Sequence, residues 1–136
     1  VQVIRTYAIN RGTSQIGWLA GLEDARLARA LTCIHCEPQE DWSLAALARR
    51  AGLSRSAFAQ HFHARIGQSP MQYLRSWRMH LAQQALSTRD VTISSLARDL
   101  GHDSEAAFRL AFRRTTGQTP RDFRRQANWP HGMRLG

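Results

Sequence analysis

The chain has 136 residues, 43% of them hydrophobic, and carries 19 basic residues, all arginine, against 10 acidic ones, for a formal net charge of +9. The apolar content is that of an ordinary globular protein, which argues against disorder. The chain has no run of about 18 consecutive apolar residues and no signal-peptide layout, which argues against a membrane or secreted protein. We therefore expect a cytoplasmic protein of one domain or two small ones and, because residue 1 is Val, a chain that is processed or part of something longer.

Prolines and glycines divide the chain into short helical segments, and no alternating strand pattern of useful length appears. Asp24 can cap a first helix that runs to about Glu37, where Pro38 ends it. Its apolar positions lie on one face: Leu27, Ala30, Leu31 and Ile34.

Two further helices are expected before residue 68. Ser43 can cap a short helix that Gly52 breaks, and another is predicted from Ser54 to near Gly67. The apolar positions of the first are Leu44, Leu47, Ala48 and Ala51, and those of the second, spaced by four, are Phe58, Phe62 and Ile66.

The segment Ser69-Pro70-Met71-Gln72 is a strong helix start, with a capping serine, proline at the first helical position and glutamine completing a capping box. The helix is expected to run to about Leu86 and is long enough to join two units. Its predicted apolar stripe is Leu74, Trp77, Leu81 and Ala85.

The same pattern then begins again. Thr92 can cap a fifth helix that breaks at Gly101, and Asp103 or Ser104 can cap a sixth that ends near Gly117, where a Thr-Pro pair opens a seventh. The two copies align at an offset of 49 or 50 residues through Leu47/Leu96, Ala48/Ala97, Gly52/Gly101, Phe58/Phe108, Phe62/Phe112, Gly67/Gly117, Pro70/Pro120 and Tyr73/Phe123. The sequence thus predicts an all-α fold of about seven helices, with two homeodomain-like repeats joined by a long linker helix.

Each copy is a short helix, a glycine turn and a second helix, which is the pattern of a helix-turn-helix. The charge is concentrated in these copies: residues 1–40 are neutral, residues 41–90 carry +5 and residues 91–136 carry +4. A localised positive excess of this kind favours a polyanionic partner such as nucleic acid, or an anionic membrane surface.

The second helix of each copy has an apolar face, and at about 100° per residue the opposite face is polar. In the first copy the outward set is Ser56, Gln60, His63 and Ala64, with Ala59 on the flank. In the second copy the outward set is Ala106, Leu110, Arg113 and Arg114, with Arg109 on the flank. Glutamine can pair with adenine, arginine with guanine or phosphate, and leucine can contact a thymine methyl. Free N–H groups at the two helix starts can hold phosphates.

Residues 43–125 resemble the DNA-binding domain of the AraC/XylS family of bacterial transcription regulators. The resemblance is carried by SLAALARRAGLSRSAFAQHF, GQSPMQYLRSWRMHLAQQAL, TISSLARDLGHDSEAAFRLAFRR and GQTPRDFR. It implies two recognition helices that enter successive major grooves on one face of the DNA. The base-facing positions it implies are Ser56, Ala59, Gln60, His63, Ala106, Arg109, Leu110 and Arg113, and we expect Ser54, Arg55, Ser104 and Arg114 to contact phosphates.

The resemblance also implies an organisation and a set of partners. We expect residues 1–24 to be the remnant of an upstream regulatory domain, 25–70 and 89–126 to be the two helix-turn-helix subdomains, 71–88 the linker helix and 127–136 a tail. The implied partners are double-stranded DNA and RNA polymerase, with a small-molecule effector on an upstream cupin-like sensor domain. The chain departs from the family at His102, where members often carry an aromatic residue.

No catalytic constellation or phosphate-binding glycine loop stands out, so we expect neither an enzyme nor a cofactor. Cys33-Ile34-His35-Cys36, with His61 and His63, is a weak zinc signal, because a single C-x-x-C lacks the second ligand pair. We expect these two cysteines to share one helix face and to pack. The alternatives to a regulator are the DNA-binding module of a DNA-processing enzyme, such as a transposase or repair protein, and a protein-interaction module.

Overall fold

The structure is a computed structural model that describes residues 24–88 and 90–127. Within these ranges the chain forms helices and no strand, which confirms the predicted all-α fold. The seven helices are α1 (Ala25–Cys36), α2 (Leu44–Ala51), α3 (Arg55–Ile66), α4 (Pro70–Thr88), α5 (Ile93–Asp99), α6 (Glu105–Thr116) and α7 (Pro120–Ala127). None of the helices in these ranges combines the length and apolar character needed to span a bilayer.

The chain divides into two compact units between Arg75 and Ser76, within α4. In the first unit, Asp24 caps α1 and Ser43 caps α2, as their positions predict. Arg29 extends from α1 to the end of α2, where its guanidinium donates to the carbonyls of Arg50 (3.1 Å) and Ala51 (3.3 Å). This arginine supplies partners for carbonyls that a helix end leaves unpaired. The core of the unit includes Leu27, Ile34, Leu47, Phe58 and Phe62, all without exposed area.

The predicted capping box at the start of α4 is present. The Ser69 hydroxyl accepts from the Gln72 amide (3.2 Å), and the Gln72 side chain accepts from the Ser69 amide (3.1 Å). The helix continues two residues beyond the predicted Leu86, to Thr88. Of the predicted stripe, Leu81 is only half-buried and lines a surface cavity of about 340 Å³. The core of the second unit includes Ala85 of this stripe and has Leu81 packed against it, but it also takes Met79, Ala82 and Leu86 from α4, because these residues meet the buried residues of α5 and α6.

The second unit repeats the local arrangement of the first. The rings of Phe58 and Phe62 lie 5.6 Å apart, and those of Phe108 and Phe112 lie 5.8 Å apart. Each pair ends in an edge-on contact with an aromatic residue of the following helix: Phe62 with Tyr73 at 5.9 Å, and Phe112 with Phe123 at 5.5 Å. The fifty-residue sequence repeat is therefore a structural repeat.

The turn inside each helix-turn-helix depends on glycine. Gly52 has φ +75° and Gly101 has φ +81°, which lie in the left-handed region that other residues rarely adopt. The amide of the residue after each glycine bonds back into the preceding helix, from Leu53 to Ala48 and from His102 to Ala97, both at 3.0 Å. Glycine at these positions thus turns the chain from the first helix into the second.

Candidate nucleic-acid interface

The second helix of each helix-turn-helix, α3 or α6, is anchored by its apolar face and capped at both ends. Ser54 caps α3 by accepting from the Ala57 amide (3.1 Å), and Ser104 caps α6 by accepting from the Ala107 amide (3.0 Å). Of the two predicted caps for α6, Ser104 is the one used. Gly67 and Gly117 end the two helices. The caps and the buried phenylalanines hold the opposite faces of α3 and α6 towards solvent.

On α3, the predicted base-facing residues form one surface. Ser56, Gln60 and His63 are exposed, and Ala59 is half-buried at its edge. The only charged groups beside them on this helix are Arg55 near its start and Arg65 near its end. The α3 surface therefore offers hydroxyl, amide and imidazole groups, which suit hydrogen bonding to base edges more than charge neutralisation.

On α6, the corresponding surface is basic and partly apolar. Ala106, Arg109, Leu110 and Arg113 are all exposed, with Arg114 beside them. Leu110 has 52% of its area exposed and is the one large hydrophobic residue in the described ranges that is exposed. An isolated exposed leucine is common in proteins, but here it lies among three arginines on a candidate DNA face.

The predicted phosphate contacts lie at the starts and the basic edge of these helices. Ser54, Arg55, Ser104 and Arg114 are exposed. Each capping hydroxyl uses one lone pair on its own helix, and its O–H can still donate to a phosphate oxygen. Each cap engages the amide of the third helical residue, so the amides of the first two helical residues remain directed along the helix axis at the N-terminus.

An ion pair on α6 was not predicted from the sequence. The Arg109 guanidinium donates to one carboxylate oxygen of Glu105 through both Nε (2.9 Å) and Nη2. The spacing of Glu and Arg by four residues on a helix is a signal that would have found it. The first turn of α6 thus carries an acid, whereas that of α3 has none.

A second unpredicted contact ties α3 to the start of α1. His61 Nε2 lies 2.5 Å from Asp24 Oδ2, while the other carboxylate oxygen of Asp24 caps α1. The bond from His61, together with the cap bonds, holds the pKa of Asp24 well below its usual range despite the opposing effect of burial. The sequence predicted only the capping role of Asp24, because the contact spans 37 residues.

The residues of the weak zinc signal are not brought together. Within residues 24–88 and 90–127, no group of three or more His, Cys, Asp or Glu side chains is placed to hold a metal. Cys33 is buried and Cys36 is exposed, so the expectation that both cysteines pack is wrong for Cys36. Cys36 is the last residue of α1, and Glu37, which follows it, is also exposed. Burial raises the pKa of the Cys33 thiol, which suits a packing role.

His102 occupies the turn of the second unit. Its ring lies edge-on to Phe108 at 5.3 Å, and its Nε2 is buried without a hydrogen-bond partner in the described part of the chain. Burial lowers the pKa of His102, and the positive charge of Arg78 lowers it further, against a smaller opposing effect of Asp103. The imidazole of His102 therefore packs against Phe108 as a neutral ring.

This burial predicts a pH-dependent stability. Because the pKa of His102 is lower in the folded chain, its contribution is complete above the unfolded value of about 6.5 and is lost as the pH falls towards the folded value. We expect the free energy of unfolding to decrease from pH 7.5 to 5.5, and His102→Phe to remove most of that decrease. Urea unfolding at both pH values measures it. A wild type and variant with the same pH dependence would show that His102 is not the cause.

Comparison with known proteins shows the family to which this arrangement belongs. A helix-turn-helix domain family matches residues 47–126. Over 130 residues the chain is 41% identical to a protein of Streptomyces lividans named as an AraC-like transcription regulator, covering 96% of this chain and 43% of that protein. The chain belongs to the AraC/XylS family of helix-turn-helix regulators. The family resemblance of its motifs is thereby confirmed.

Other relatives and solved structures support the assignment of this chain to the AraC family. The regulator AlkR of Acinetobacter baylyi is 37% identical over 110 residues, which cover 81% of this chain and 36% of AlkR. The DNA-binding domain of AdpA, solved in complex with a target DNA, is similar in fold with a TM-score of 0.73, at 29% identity over 79% of this chain and 96% of that one. An AraC-type regulator of Chromobacterium violaceum gives 0.71, at 25% identity over 79% of this chain and 96% of that one. The chain spans less than half the length of the curated relatives named here.

Proposed function

We propose that this AraC-family chain is the sequence-specific DNA-binding part of a transcription regulator, and that α3 and α6 enter successive major grooves of promoter DNA. One observation carries the proposal: the same helix-turn-helix occurs twice, each time with a second helix anchored by two buried phenylalanines and exposing its other face. An α-helix fits the major groove, where every base pair presents a distinct pattern of donors and acceptors. The DNA complex of the related AdpA domain supports the same use of this fold.

The two faces suit different contacts. On α3, Gln60 can pair with adenine, and Ser56 and His63 can bond to base edges or phosphates, while half-buried Ala59 allows close approach. On α6, Arg109 and Arg113 can pair with guanine, and Leu110 with Ala106 can contact thymine methyl groups. Ser54, Arg55, Ser104 and Arg114 hold phosphates and fix the register.

The remaining proposals concern the whole regulator. Residues 1–24 belong to an upstream regulatory part that binds a small-molecule effector, residues 25–70 and 89–126 are the two DNA-binding subdomains, and residues 71–88 link them. The regulator acts in the cytoplasm and contacts RNA polymerase. The DNA-binding part has no catalytic role.

Footprinting on the DNA upstream of the chain's own gene tests the proposal. We expect two protected major-groove segments about 10 base pairs apart, since two helices on one face of the DNA contact it one turn apart. Affinity should fall steeply with salt, as counterion release requires. Protection of a single groove would contradict the two-helix arrangement. Binding to a protein partner with no salt-dependent DNA binding would instead indicate an interaction module.

Gln60→Ala is expected to weaken binding to the specific site by about 1–3 kcal/mol and to relax base preference at one position, because a bidentate contact with adenine is lost. Titration of the specific site, and of the same site with each base changed in turn, measures both effects. Gln84→Ala, which truncates an exposed glutamine of α4 outside both candidate DNA surfaces, is the matched control and should leave the preference unchanged. An equal loss on random DNA would show that Gln60 contacts the backbone only.

A further inference from the structure

The Glu105–Arg109 ion pair lies at the edge of the α6 surface. Both side chains are partly exposed, with 40% and 48% of their area accessible, so the pair contributes little to folding stability. A negative charge at this position also opposes binding to any phosphate backbone. The position of Glu105 in the first turn of α6 adds only modestly to helix stability. Affinity for DNA in general does not explain an acid beside Arg109, Arg113 and Arg114.

The geometry of the pair suggests a different use. The guanidinium has five N–H groups, and Glu105 accepts from its Nε and Nη2 edge. The second hydrogen of Nη2 and one hydrogen of Nη1 form a parallel pair of donors on the next edge. Two parallel N–H donors match the O6 and N7 acceptors of guanine. A carboxylate that binds the Nε and Nη2 edge of Arg109 thus fixes the direction in which the Nη1 and Nη2 edge points.

We infer that Glu105 is a positioning residue that sets the base preference of the second unit, by holding Arg109 for a bidentate contact with guanine and by weakening attachment to random DNA. The inference rests on the proposed function, in which α6 enters a major groove. Arginine loses considerable rotamer freedom when it is immobilised, and the carboxylate removes part of that freedom before DNA is bound. Both effects raise the ratio of specific to random binding.

A matched control exists on the neighbouring helix. Asp122 lies in the first turn of α7 and pairs with Arg125 three residues later at 2.7 Å. Asp122→Ala therefore removes one exposed acid and one helical ion pair from the same unit, without changing α6. Glu105→Gln provides a second comparison, because the amide oxygen can still accept from Arg109 while the negative charge is lost.

The experiment has two measurements: selection of sites from a library randomised around the footprinted segment, and titration of random DNA. The proteins compared are wild type, Glu105→Ala, Glu105→Gln, Asp122→Ala, Arg109→Ala and the Glu105→Ala/Arg109→Ala double variant. For Glu105→Ala we expect guanine preference at one position to fall about three- to tenfold and affinity for random DNA to rise about two- to fivefold. Glu105→Gln should keep part of the guanine preference but show the same rise in affinity for random DNA. In the Arg109→Ala background, Glu105→Ala should change preference no further.

Three outcomes would overturn the inference. Glu105→Ala and Asp122→Ala could raise the affinity for random DNA equally and leave base preference unchanged. This would show that Glu105 acts only through its negative charge. Glu105→Ala could alter preference at a cytosine equally well without Arg109, which would make Glu105 itself the base-contacting residue. A wild type with no sequence preference would overturn the proposed function, whereas either of the first two outcomes leaves that function standing.

Discussion

Phe108→Ala is expected to lower the free energy of unfolding of the second unit by about 3–5 kcal/mol, as large-to-small substitutions in a packed core do. Phe108 has no exposed area and its ring contacts both Phe112 and His102. A loss of this size is comparable to the whole stability of many small domains. Urea unfolding followed by helical circular dichroism measures it, and DNA protection by the second unit should disappear with its fold.

Leu110→Ala is the matched control for this substitution. It also truncates a large apolar side chain of α6, but one with 52% of its area exposed. We expect its free energy of unfolding to lie within about 0.5 kcal/mol of wild type, as for most surface changes. A comparable destabilisation by both variants would show that Leu110 packs in the folded protein, and would remove it from the candidate DNA surface.

The double variant Arg113→Ala/Arg114→Ala is expected to lose most salt-dependent DNA affinity of the second unit. Arg114 is the proposed phosphate contact, so its loss should reduce the slope of log affinity against log salt by about 0.9. The loss of Arg113 removes a proposed base contact and lowers the affinity for the specific site. Both side chains are exposed in the last turn of α6, where each arginine adds at most about 1 kcal/mol to helix stability. Titrations from 50 to 200 mM salt, about the range over which such slopes are resolved, measure the change.

Arg121→Ala separates position from charge in this test. Arg121 is an exposed arginine of the same unit, but it belongs to α7 rather than to the candidate DNA surface. We expect it to change the slope by much less than one contact. If the double variant keeps the wild-type slope, or Arg121→Ala lowers it as much per residue, the placement of α6 against DNA is wrong.

The helix starts and ends were predictable because they depend on neighbouring residues. The capping serines at 43, 54, 69 and 104, the Thr92 cap and the glycines after α2, α3 and α6 act over four or five positions, and each lies where the pattern indicates. The buried phenylalanines of α3 and α6 follow from their spacing by four. Because the sequence repeats, the prediction for one unit also supported the other, and the family resemblance followed from the same residues.

The candidate site was predicted at the level of which helix faces are exposed, and not at the level of the pairs that its residues form. Glu105 and Arg109 lie one helical turn apart, so their pairing was within reach of the sequence, whereas the Asp24–His61 bond joins residues far apart in the chain. The same distinction explains the cysteines: their spacing on α1 was known, but which of them is buried depends on where the neighbouring helix packs.

Local chemistry thus accounts for the helices, their caps and the two-fold repetition of the helix-turn-helix, since capping, glycine turns and apolar spacing act between residues close in the chain. Tertiary packing decided which side of α4 is buried in the second unit, which cysteine is protected, and that His102 is held as a neutral ring against Phe108. These outcomes depend on which surfaces meet when helices pack, and no single helix contains that information.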